Sequence, residues 1–351
     1  MPIGKANAAV SFYNGLLKHI PSPNALLSPI TTQEAVLSSR IEGTQASLSD
    51  VLRFEAGEAY SRERNDDIAE IINYRKALFR AEELFERIPA IHLNMIKELH
   101  AILMAGVRGD NKARGEFRTI QNYIGKYGAS IEQATFVPPS PDQVLPALGE
   151  WEKYIHGDGA EALVQLAVLH AQFEIIHPFL DGNGRLGRIL IPLFLYQKGL
   201  LSKPVFYLSQ YFEAHRDEYY ARLRGISRDG DWQGWVAFFL NATIEQAIAN
   251  TEKAESILNL YKRTKERVMV LTHSSYAIVV LDTLFLRPII DASAFKTIRG
   301  IKNKDTALRI LKKMEAAGIV KTIKEGQGRA PAVFAFPELM NIAEGREVSF
   351  G

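Results

Sequence analysis

The twelve residues 177–188, HPFLDGNGRLGR, constrain the fold of this chain more than any other segment. Apolar stretches with helical spacing lie on both sides, LVQLAVLHAQFEII before the segment and GRLGRILIPLFLY from its end onward. The first helix must end near His177, because the residue before a proline is pushed out of helical geometry. Gly182 and Gly184 let the backbone turn tightly. The segment therefore predicts a helix, a tight glycine-rich turn and a second helix.

This turn is predicted to bind phosphate. Residues 181–184, DGNG, direct their backbone N–H groups outward at a helix N-terminus, and such a concavity binds anions. Arg185 and Arg188 lie three residues apart on the first helical turn, where they can bracket two phosphates. The pattern therefore indicates a polyphosphate ligand.

Two further side chains add chemistry to this turn. Asp181 is a hard oxygen ligand, as Mg²⁺ requires when it is shared between a carboxylate and a nucleotide. His177 lies at the rim, and with an ordinary pKa of about 6.5 it can accept a proton from a hydroxyl. Each feature alone is more often structural, as a helix end, a turn or a solvated face. Their combination within twelve residues favours a catalytic site.

The segment resembles the Fic motif, His-Pro-Phe-x-(Asp/Glu)-Gly-Asn-Gly-(Arg/Lys)-x-x-Arg, at every specified position. The resemblance implies ATP and Mg²⁺ as cofactors and attack on the α-phosphorus, which leaves AMP on a protein hydroxyl and releases pyrophosphate. The implied roles are general base for His177, Mg²⁺ ligand for Asp181, bridging-phosphate binding for Gly182, Asn183 and Gly184, and β- and γ-phosphate binding for Arg185 and Arg188.

The resemblance covers roughly residues 30–245. Residues 114–118 (RGEFR), 121–125 (QNYIG) and 136–139 (FVPP) are similar to the family's hairpin flap, which aligns the target segment by strand addition. Residues 207–240 are similar to the region after the motif. There Tyr219 and Tyr220 are expected in the core, with one of them a candidate to line the adenine pocket.

A second motif, SSRIEG, fits the family's inhibitory pattern (Ser/Thr)-x-x-x-Glu-(Gly/Asn). Ser38 and Glu42 share one helix face and Gly43 ends the helix. By resemblance, Glu42 pairs with Arg188 where the γ-phosphate belongs. An exposed ion pair contributes only about 0.2–1 kcal/mol, whereas ATP at about 100 times its dissociation constant favours the bound state by about 2.7 kcal/mol. We therefore expect ATP to bind in an unreactive pose.

The fold class is expected to be mainly α, a Fic-type helical bundle with a small β-hairpin flap and a C-terminal winged-helix domain. We predict an N-terminal helical region (1–110), a catalytic core (111–268) and the winged helix (269–351). Residues 1–30 are expected to be loosely structured. The inhibitory helix is predicted over 31–43, with Thr31 or Thr32 as its N-cap.

Composition limits the remaining possibilities. A net charge of +2 is too small to imply nucleic-acid or membrane binding by the whole molecule. No cysteine is present, which excludes disulfides and thiolate metal sites. Without a signal sequence or an apolar stretch of about 20 residues, a cytoplasmic protein is expected.

The C-terminal region suggests DNA as a candidate partner, because basic residues cluster between Lys296 and Lys313, on and before the predicted third helix, and on the predicted wing. They are Lys296, Arg299, Lys302, Lys304, Arg309, Lys312 and Lys313, with Lys321, Lys324 and Arg329 on the wing. Oligomerisation and target docking are alternative uses of such a domain.

Three functions stay open at this point. The first is an AMP transferase acting on a Ser, Thr or Tyr hydroxyl, including its own. The second is removal of AMP at the same site, and the third is an ATP-sensing transcription regulator. Kinase chemistry is disfavoured, since the relatives that perform it depart from Gly-Asn-Gly. A homo-oligomer and the identity of the protein substrate are left open.

Overall fold

The structure is a computed structural model that describes residues 2–106, 113–125, 128, 130–296, 304–327 and 330–350. These residues are mainly helical, as predicted. The helices are α1 (Ile3–Leu17), α2 (Pro23–Leu26), α3 (Ser28–Ile41), α4 (Leu48–Glu55), α5 (Arg62–Arg87), α6 (Leu93–Leu103), α7 (Pro141–His156), α8 (Ala162–Ile176), α9 (Asn183–Gln197), α10 (Ser209–Ala214), α11 (Arg216–Asp229), α12 (Trp232–Thr272), α13 (Tyr276–Leu286), α14 (Lys304–Ala316) and α15 (Pro337–Glu344). The strands are β1 (Ile289–Asp291), β2 (Lys321–Lys324) and β3 (Val333–Ala335). None of the helices in the described part of the chain has both the length and the apolar character of a membrane span.

The chain forms two compact units whose segments alternate along the sequence. The first unit contains Met1–Gly15, Leu37–Thr44 and Ala69–Ala249. The second contains Leu16–Val36, Gln45–Ile68 and Asn250–Gly351. Helices α1, α3, α5 and α12 contribute residues to both units. The division of the chain near residues 110 and 268 stays a prediction.

The core of the first unit is built around α8 and α9. Both helices are apolar on nearly all sides, which is the pattern of a buried helix. They pack against each other, and α7 and α11 cover α8. Two tryptophans donate their indole N–H groups to backbone carbonyls of α8. Trp151 donates to Leu169 at 2.9 Å, and Trp235 donates to Ala167 at 2.8 Å. This packing fixes the two ends between which the glycine-rich turn runs.

The expectation for the N-terminus was wrong. Residues 3–17 form the helix α1, whose buried side chains include Val10 and Tyr13. Helix α3 begins at Ser28, three residues earlier than expected. Thr31 and Thr32 are not caps, because their hydroxyls donate back to the carbonyls of the preceding turn at 3.3 and 3.0 Å.

The short helices α4 and α10 are among those that were not predicted from the sequence. In α4, Ser47 Oγ accepts from the Asp50 N–H at 3.1 Å, and Asp50 Oδ2 accepts from the Ser47 N–H at 2.8 Å. This capping box is a strong local start signal. Helix α10 has only six residues, too few to show a helical period.

The predicted flap is a loop whose two sides meet at one antiparallel bridge, between Ile124 and Phe136. The Ile124 N–H donates to the Phe136 carbonyl at 2.9 Å, and the Thr135 N–H donates to the Ile124 carbonyl at 2.7 Å. Residues 107–112, 126–127 and 129, which belong to the same predicted loop, lie outside the described residues.

The end of the second unit contains a three-stranded antiparallel sheet in the order β1-β3-β2. Helix α13 precedes the sheet and α14 packs against α13. Strand β1 was not predicted, and a 3₁₀ turn at Ala294–Lys296 follows it. Arg299, Lys302 and Arg329 lie outside the described residues. The winged helix and its DNA partner stay predictions.

Candidate active site

His177 follows α8 directly and has a left-handed backbone, with a φ of 49°. Its N–H donates to the Phe173 carbonyl at 3.0 Å, and the proline that follows cannot extend the helix. The ring Nδ1 lies 3.3 Å from the carbonyl oxygen of Glu174, which can only accept a hydrogen bond. The neutral ring therefore carries its proton on Nδ1 and keeps a lone pair on Nε2.

The same ring is kept neutral by its surroundings. Burial is the largest effect and lowers the pKa of His177, while the Glu174 carbonyl and the charge of Glu42 act in the opposite direction. The net pKa lies below the ordinary value. A neutral imidazole with a free Nε2 can act as a general base.

Arg118 holds the backbone around this histidine. Its Nε donates to the His177 carbonyl at 2.9 Å, and its Nη2 donates to the carbonyls of Ile176, at 3.3 Å, and Pro139. Arg118 is only 2% exposed, and burial lowers its pKa. Sequence analysis had placed this residue in the flap. Here it joins the flap to the end of α8.

The side chain of Asn183 bonds to the backbone of the loop between α8 and α9. The Asn183 side chain accepts from the Phe179 N–H and donates to the Phe179 carbonyl, both at 2.9 Å. Both polar ends of the amide are used, so the side chain is buried rather than available to phosphate. Gly182 precedes α9 with a φ of 77° and gives the helix no side-chain cap. The N-terminus of α9 therefore has no side-chain cap, as is typical of helix ends that bind anions.

His100 holds this loop in place through a hydrogen bond and a ring contact. The Gly115 N–H donates to its Nδ1 at 2.9 Å, so Nε2 carries the proton and donates to the Asp181 carbonyl at 3.0 Å. Its ring stacks on Phe179 with centroids 3.7 Å apart. Burial is the main cause that lowers the pKa of His100 to about 4. The ring thus stays neutral and holds the loop in one position.

Asp181 is the acid that the loop presents to solvent. Its side chain is 44% exposed, and Oδ1 accepts from the Gly182 N–H at 2.6 Å. No group of three or more His, Asp or Glu side chains that could hold a metal occurs among the described residues. A single exposed carboxylate nevertheless suits Mg²⁺, which takes one or two carboxylates and completes its shell with phosphate oxygens and water.

The two arginines of the motif have separate partners. Arg185 Nη1 lies 2.9 Å from Glu70 Oε2, with the two side chains 6% and 16% exposed. Its Nη2 is 3.7 Å from Asp181 Oδ1. Arg188 instead contacts the end of α3. Arg185 thus pairs with Glu70 and Asp181, Arg188 pairs with Glu42, and the binding of phosphates by the two arginines stays a prediction.

Arg188 is held by both residues of the second motif. Its Nε donates to Ser38 Oγ at 2.8 Å, and its Nη2 donates to the Ser38 carbonyl at 2.9 Å and to Glu42 Oε1 at 2.6 Å. The Arg188 side chain is 1% exposed and that of Glu42 is 33% exposed. The assumption of an exposed pair was therefore wrong, since water screens only the Glu42 side of it.

The charge of Glu42 is set by opposing effects. Burial acts to raise its pKa, but the charge and hydrogen bond of Arg188, with smaller help from Arg185 and His177, lower it below the ordinary value. Glu42 is thus an ionised carboxylate at neutral pH. Gly43 follows α3 with a φ of 110°, a conformation that favours glycine.

Glycine at position 184 is required by this pair. A Cβ on Gly184 would collide with Glu42 Oε1 and would lie 3.0 Å from Arg188 Nη1. The Glu42 carboxylate therefore lies directly against the first turn of α9, beside Gly184.

A groove of about 470 Å³ opens beside this cluster. Ile124 and Phe136 of the flap line it, together with Glu174 of α8 and Tyr220 of α11. Tyr219 is 1% exposed, and its hydroxyl lies 2.9 Å from His170 Nε2, so it belongs to the core as expected. Tyr220 faces the groove, and burial, the main cause, raises its pKa to about 12.

The contributions of His100, Glu70 and Glu174 were not predicted from the sequence, and Arg118 was predicted to lie in the flap. A weak signal was available for one of them. Glu174 is the one acid in a largely apolar helix, where a charged side chain needs a partner or a function. Glu70 and Arg118 carry no such signal, because their partners are distant in sequence.

Curated relatives match part of this chain. A protein adenylyltransferase Fic from Drosophila grimshawi is 31% identical over 156 residues, which are 44% of this chain and 29% of the relative. A protein adenylyltransferase fic-1 from Caenorhabditis briggsae is 29% identical over 151 residues, 42% of this chain and 26% of the relative. The chain thus spans less than a third of the length of these relatives.

Solved structures share the fold. A Fic family protein from Desulfovibrio desulfuricans superposes with a TM-score of 0.56 at 19% identity, and the match covers 95% of each chain. Fic-1 from C. elegans gives a TM-score of 0.54 at 22% identity, covering 72% of this chain and 73% of the other.

Two family models match the sequence directly. "Fic/DOC family N-terminal" matches residues 1–83, and "Fic/DOC family" matches residues 90–195. Together they span just over half of the chain and include both the inhibitory pattern and the glycine-rich turn. Because both models belong to one family and together cover just over half of the chain, this chain belongs to the Fic/DOC family.

Proposed function

We propose that this protein transfers AMP from ATP to a Ser, Thr or Tyr hydroxyl of a protein, and that Glu42 restrains the reaction. The observation that supports this most is the juxtaposition of a neutral, Nδ1-protonated His177 with an uncapped glycine-rich helix N-terminus. The names of the curated relatives support the same reaction class.

The reaction would proceed by direct displacement. His177 Nε2 takes the proton of the target hydroxyl, and the hydroxyl oxygen forms a bond to the α-phosphorus. The bond between the α-phosphorus and the oxygen that bridges to the β-phosphate breaks. Pyrophosphate leaves and AMP stays esterified to the target. The N–H groups at the start of α9 stabilise the phosphate charge that develops.

Asp181 is the residue that would hold Mg²⁺, together with the phosphates of ATP. The ion would supply charge neutralisation for the leaving pyrophosphate. The base would lie in the groove beside Tyr220, because flat aromatic ligands suit grooves with apolar and aromatic walls.

Glu42 would act as a brake by holding Arg188. Three hydrogen bonds from Arg188 to Ser38 and Glu42 leave it unable to turn toward a phosphate. The N-terminus of α9 does not depend on Arg188, so ATP can still bind there. Its phosphates would then lie in an unreactive position, and a small displacement is enough to slow a reaction by about 100-fold.

The test is labelling of the full chain and of a lysate with ATP carrying α-phosphate label, in the presence of Mg²⁺. Glu42→Gly is expected to label protein about 100-fold faster than wild type. Its dissociation constant for ATP should change less than about tenfold. Label on the γ-phosphate should not transfer. Absence of α-label transfer by Glu42→Gly would refute the proposal.

A matched variant separates chemistry from folding at His177. Asparagine tolerates the left-handed backbone that this position has, yet it lacks an imidazole. His177→Asn in the Glu42→Gly background should therefore fold and bind ATP but transfer no AMP. Full transfer by this double variant would exclude His177 as the base.

A further inference from the structure

The carboxyl group of Glu174 lies in the wall of the groove. It lies on the last turn of α8, three residues before His177. Its Oε1 is buried and has no hydrogen-bond partner among the described residues. This oxygen is so close to α9 that a Cβ on Gly187 would collide with it. The carboxyl is therefore packed in place, with an acceptor left unused.

The nearby arginine does not satisfy this carboxyl. The hydrogen bonds of Arg188 go to Ser38 and Glu42. Burial, the largest effect, raises the pKa of Glu174 to about 8, the charge of Glu42 adds to the rise, and the charge of Arg188 opposes it. At neutral pH the group is mostly a carboxylic acid, with an O–H donor beside a carbonyl acceptor.

Because Oε1 is closed to solvent and faces Gly187, a ligand in the groove can reach this carboxyl only through its other oxygen. The groove offers an aromatic side chain, Tyr220, and apolar walls from Ile124 and Phe136. A ligand that suits both features is flat, aromatic and carries an amine next to a ring nitrogen. Adenine has this edge, since its exocyclic amine donates and the adjacent ring nitrogen accepts.

We infer that Glu174 is a specificity-determining residue of the nucleotide site, whose carboxyl accepts the exocyclic amine hydrogen of adenine. This inference rests on the proposed function, in that it requires a nucleotide with its base in the groove. It adds a contact that positions the base and, through the ribose, the α-phosphate next to His177.

The experiment removes the Glu174 carboxyl and the exocyclic amine of adenine, first separately and then together. The dissociation constants of ATP and of purine riboside triphosphate, which lacks the amine, are measured with Mg²⁺ for the wild-type chain and for Glu174→Met. Loss of one buried hydrogen bond is expected to weaken binding by about tenfold. Removing the amine or the Glu174 carboxyl alone should have this effect. Removing both should weaken binding little more than removing one.

Two further variants complete the design. Glu174→Gln keeps a donor and an acceptor and should bind ATP within about twofold of wild type. Glu218→Met removes a carboxylate of α11 that is 45% exposed and does not line the groove, and it should leave both dissociation constants unchanged. The wild-type comparison of the two nucleotides needs no substitution, so it holds even if Glu174→Met folds poorly.

Additive effects, or equal binding of the two nucleotides by wild type, would overturn the inference. If AMP transfer occurs while the effects are additive, the proposed function stands and the role of Glu174 falls. If the two deletions are coupled but no AMP is transferred, the role of Glu174 stands and the proposed transfer reaction falls.

Discussion

The Arg118 Nε donates to the carbonyl oxygen of His177 at 2.9 Å, so one buried arginine fixes the backbone that carries the candidate base. Its Nη2 also reaches carbonyls of the flap and of α8. A single side chain thus determines where the imidazole lies relative to the groove.

Arg118→Lys should therefore slow AMP transfer without preventing nucleotide binding. Lysine keeps the charge but lacks the planar fork that contacts several carbonyls at once. In the Glu42→Gly background we expect kcat to fall about tenfold or more, with the KM for ATP nearly unchanged. Arg222→Lys, at a position on α11 that is 41% exposed, is the control and should have no effect. An equal change in KM would argue against a positioning role.

Ser38→Ala should release part of the brake. The Ser38 hydroxyl accepts the Nε hydrogen of Arg188, so its loss frees one of the bonds that hold the guanidinium. AMP transfer should rise by about tenfold or less, to a rate between those of wild type and Glu42→Gly. Ser39→Ala is a matched control, because the buried Ser39 Oγ has no hydrogen-bond partner among the described residues. If both alanine variants behave alike, the Ser38 hydroxyl has no part in the brake.

Gly184→Ala should destabilise the protein only while Glu42 is present. Alanine normally favours a helix over glycine by about 1 kcal/mol, but here its Cβ collides with the Glu42 carboxylate. We expect a loss of about 1–3 kcal/mol in the free energy of unfolding. In the Glu42→Gly background the loss should shrink or reverse. Gly149→Ala in α7, whose Cβ meets no atom within 4 Å, should stabilise both backgrounds equally. Denaturant unfolding measures the free energy of unfolding of each variant. Equal losses from Gly184→Ala in the wild-type and Glu42→Gly backgrounds would contradict the geometry.

Acid should weaken the fold through His100. Its pKa is about 4 in the folded protein and 6.5 in the reference state, so between these values the folded state binds fewer protons than the unfolded state. The free energy of unfolding therefore falls as the pH drops through this window, by up to about 1.4 kcal/mol per pH unit from this residue. His100→Gln should show a shallower pH slope than wild type. His19→Asn, at an exposed position, should keep the wild-type slope. Equal slopes for wild type and His100→Gln would show that His100 does not titrate in this way.

The sequence allowed prediction of the parts whose signals are local. The helices before and after HPFLDGNGR, the turn between them and the helical fold class were all predicted, because apolar periodicity and glycine are visible within a few residues. The same holds for the helix that carries Ser38 and ends just before Glu42, although its start was placed too late.

Contacts between distant residues could not be predicted in this way. Nothing in the sequence indicates that Arg185 pairs with Glu70, 115 positions away. Nor does it indicate that Arg118 donates to the carbonyl of His177. The burial of Arg188 was missed for the same reason, because exposure depends on which helices pack around a position. The helical N-terminus was missed since its weak amphipathic pattern looks like that of an irregular segment.

The reciprocal hydrogen bonds between Asn183 and the backbone of Phe179 have a thermodynamic consequence. A loop that already holds its shape loses little conformational entropy when an anion arrives. Its N–H dipoles need no reorganisation either. The entropic cost of binding would then come mainly from the nucleotide itself and from the flap.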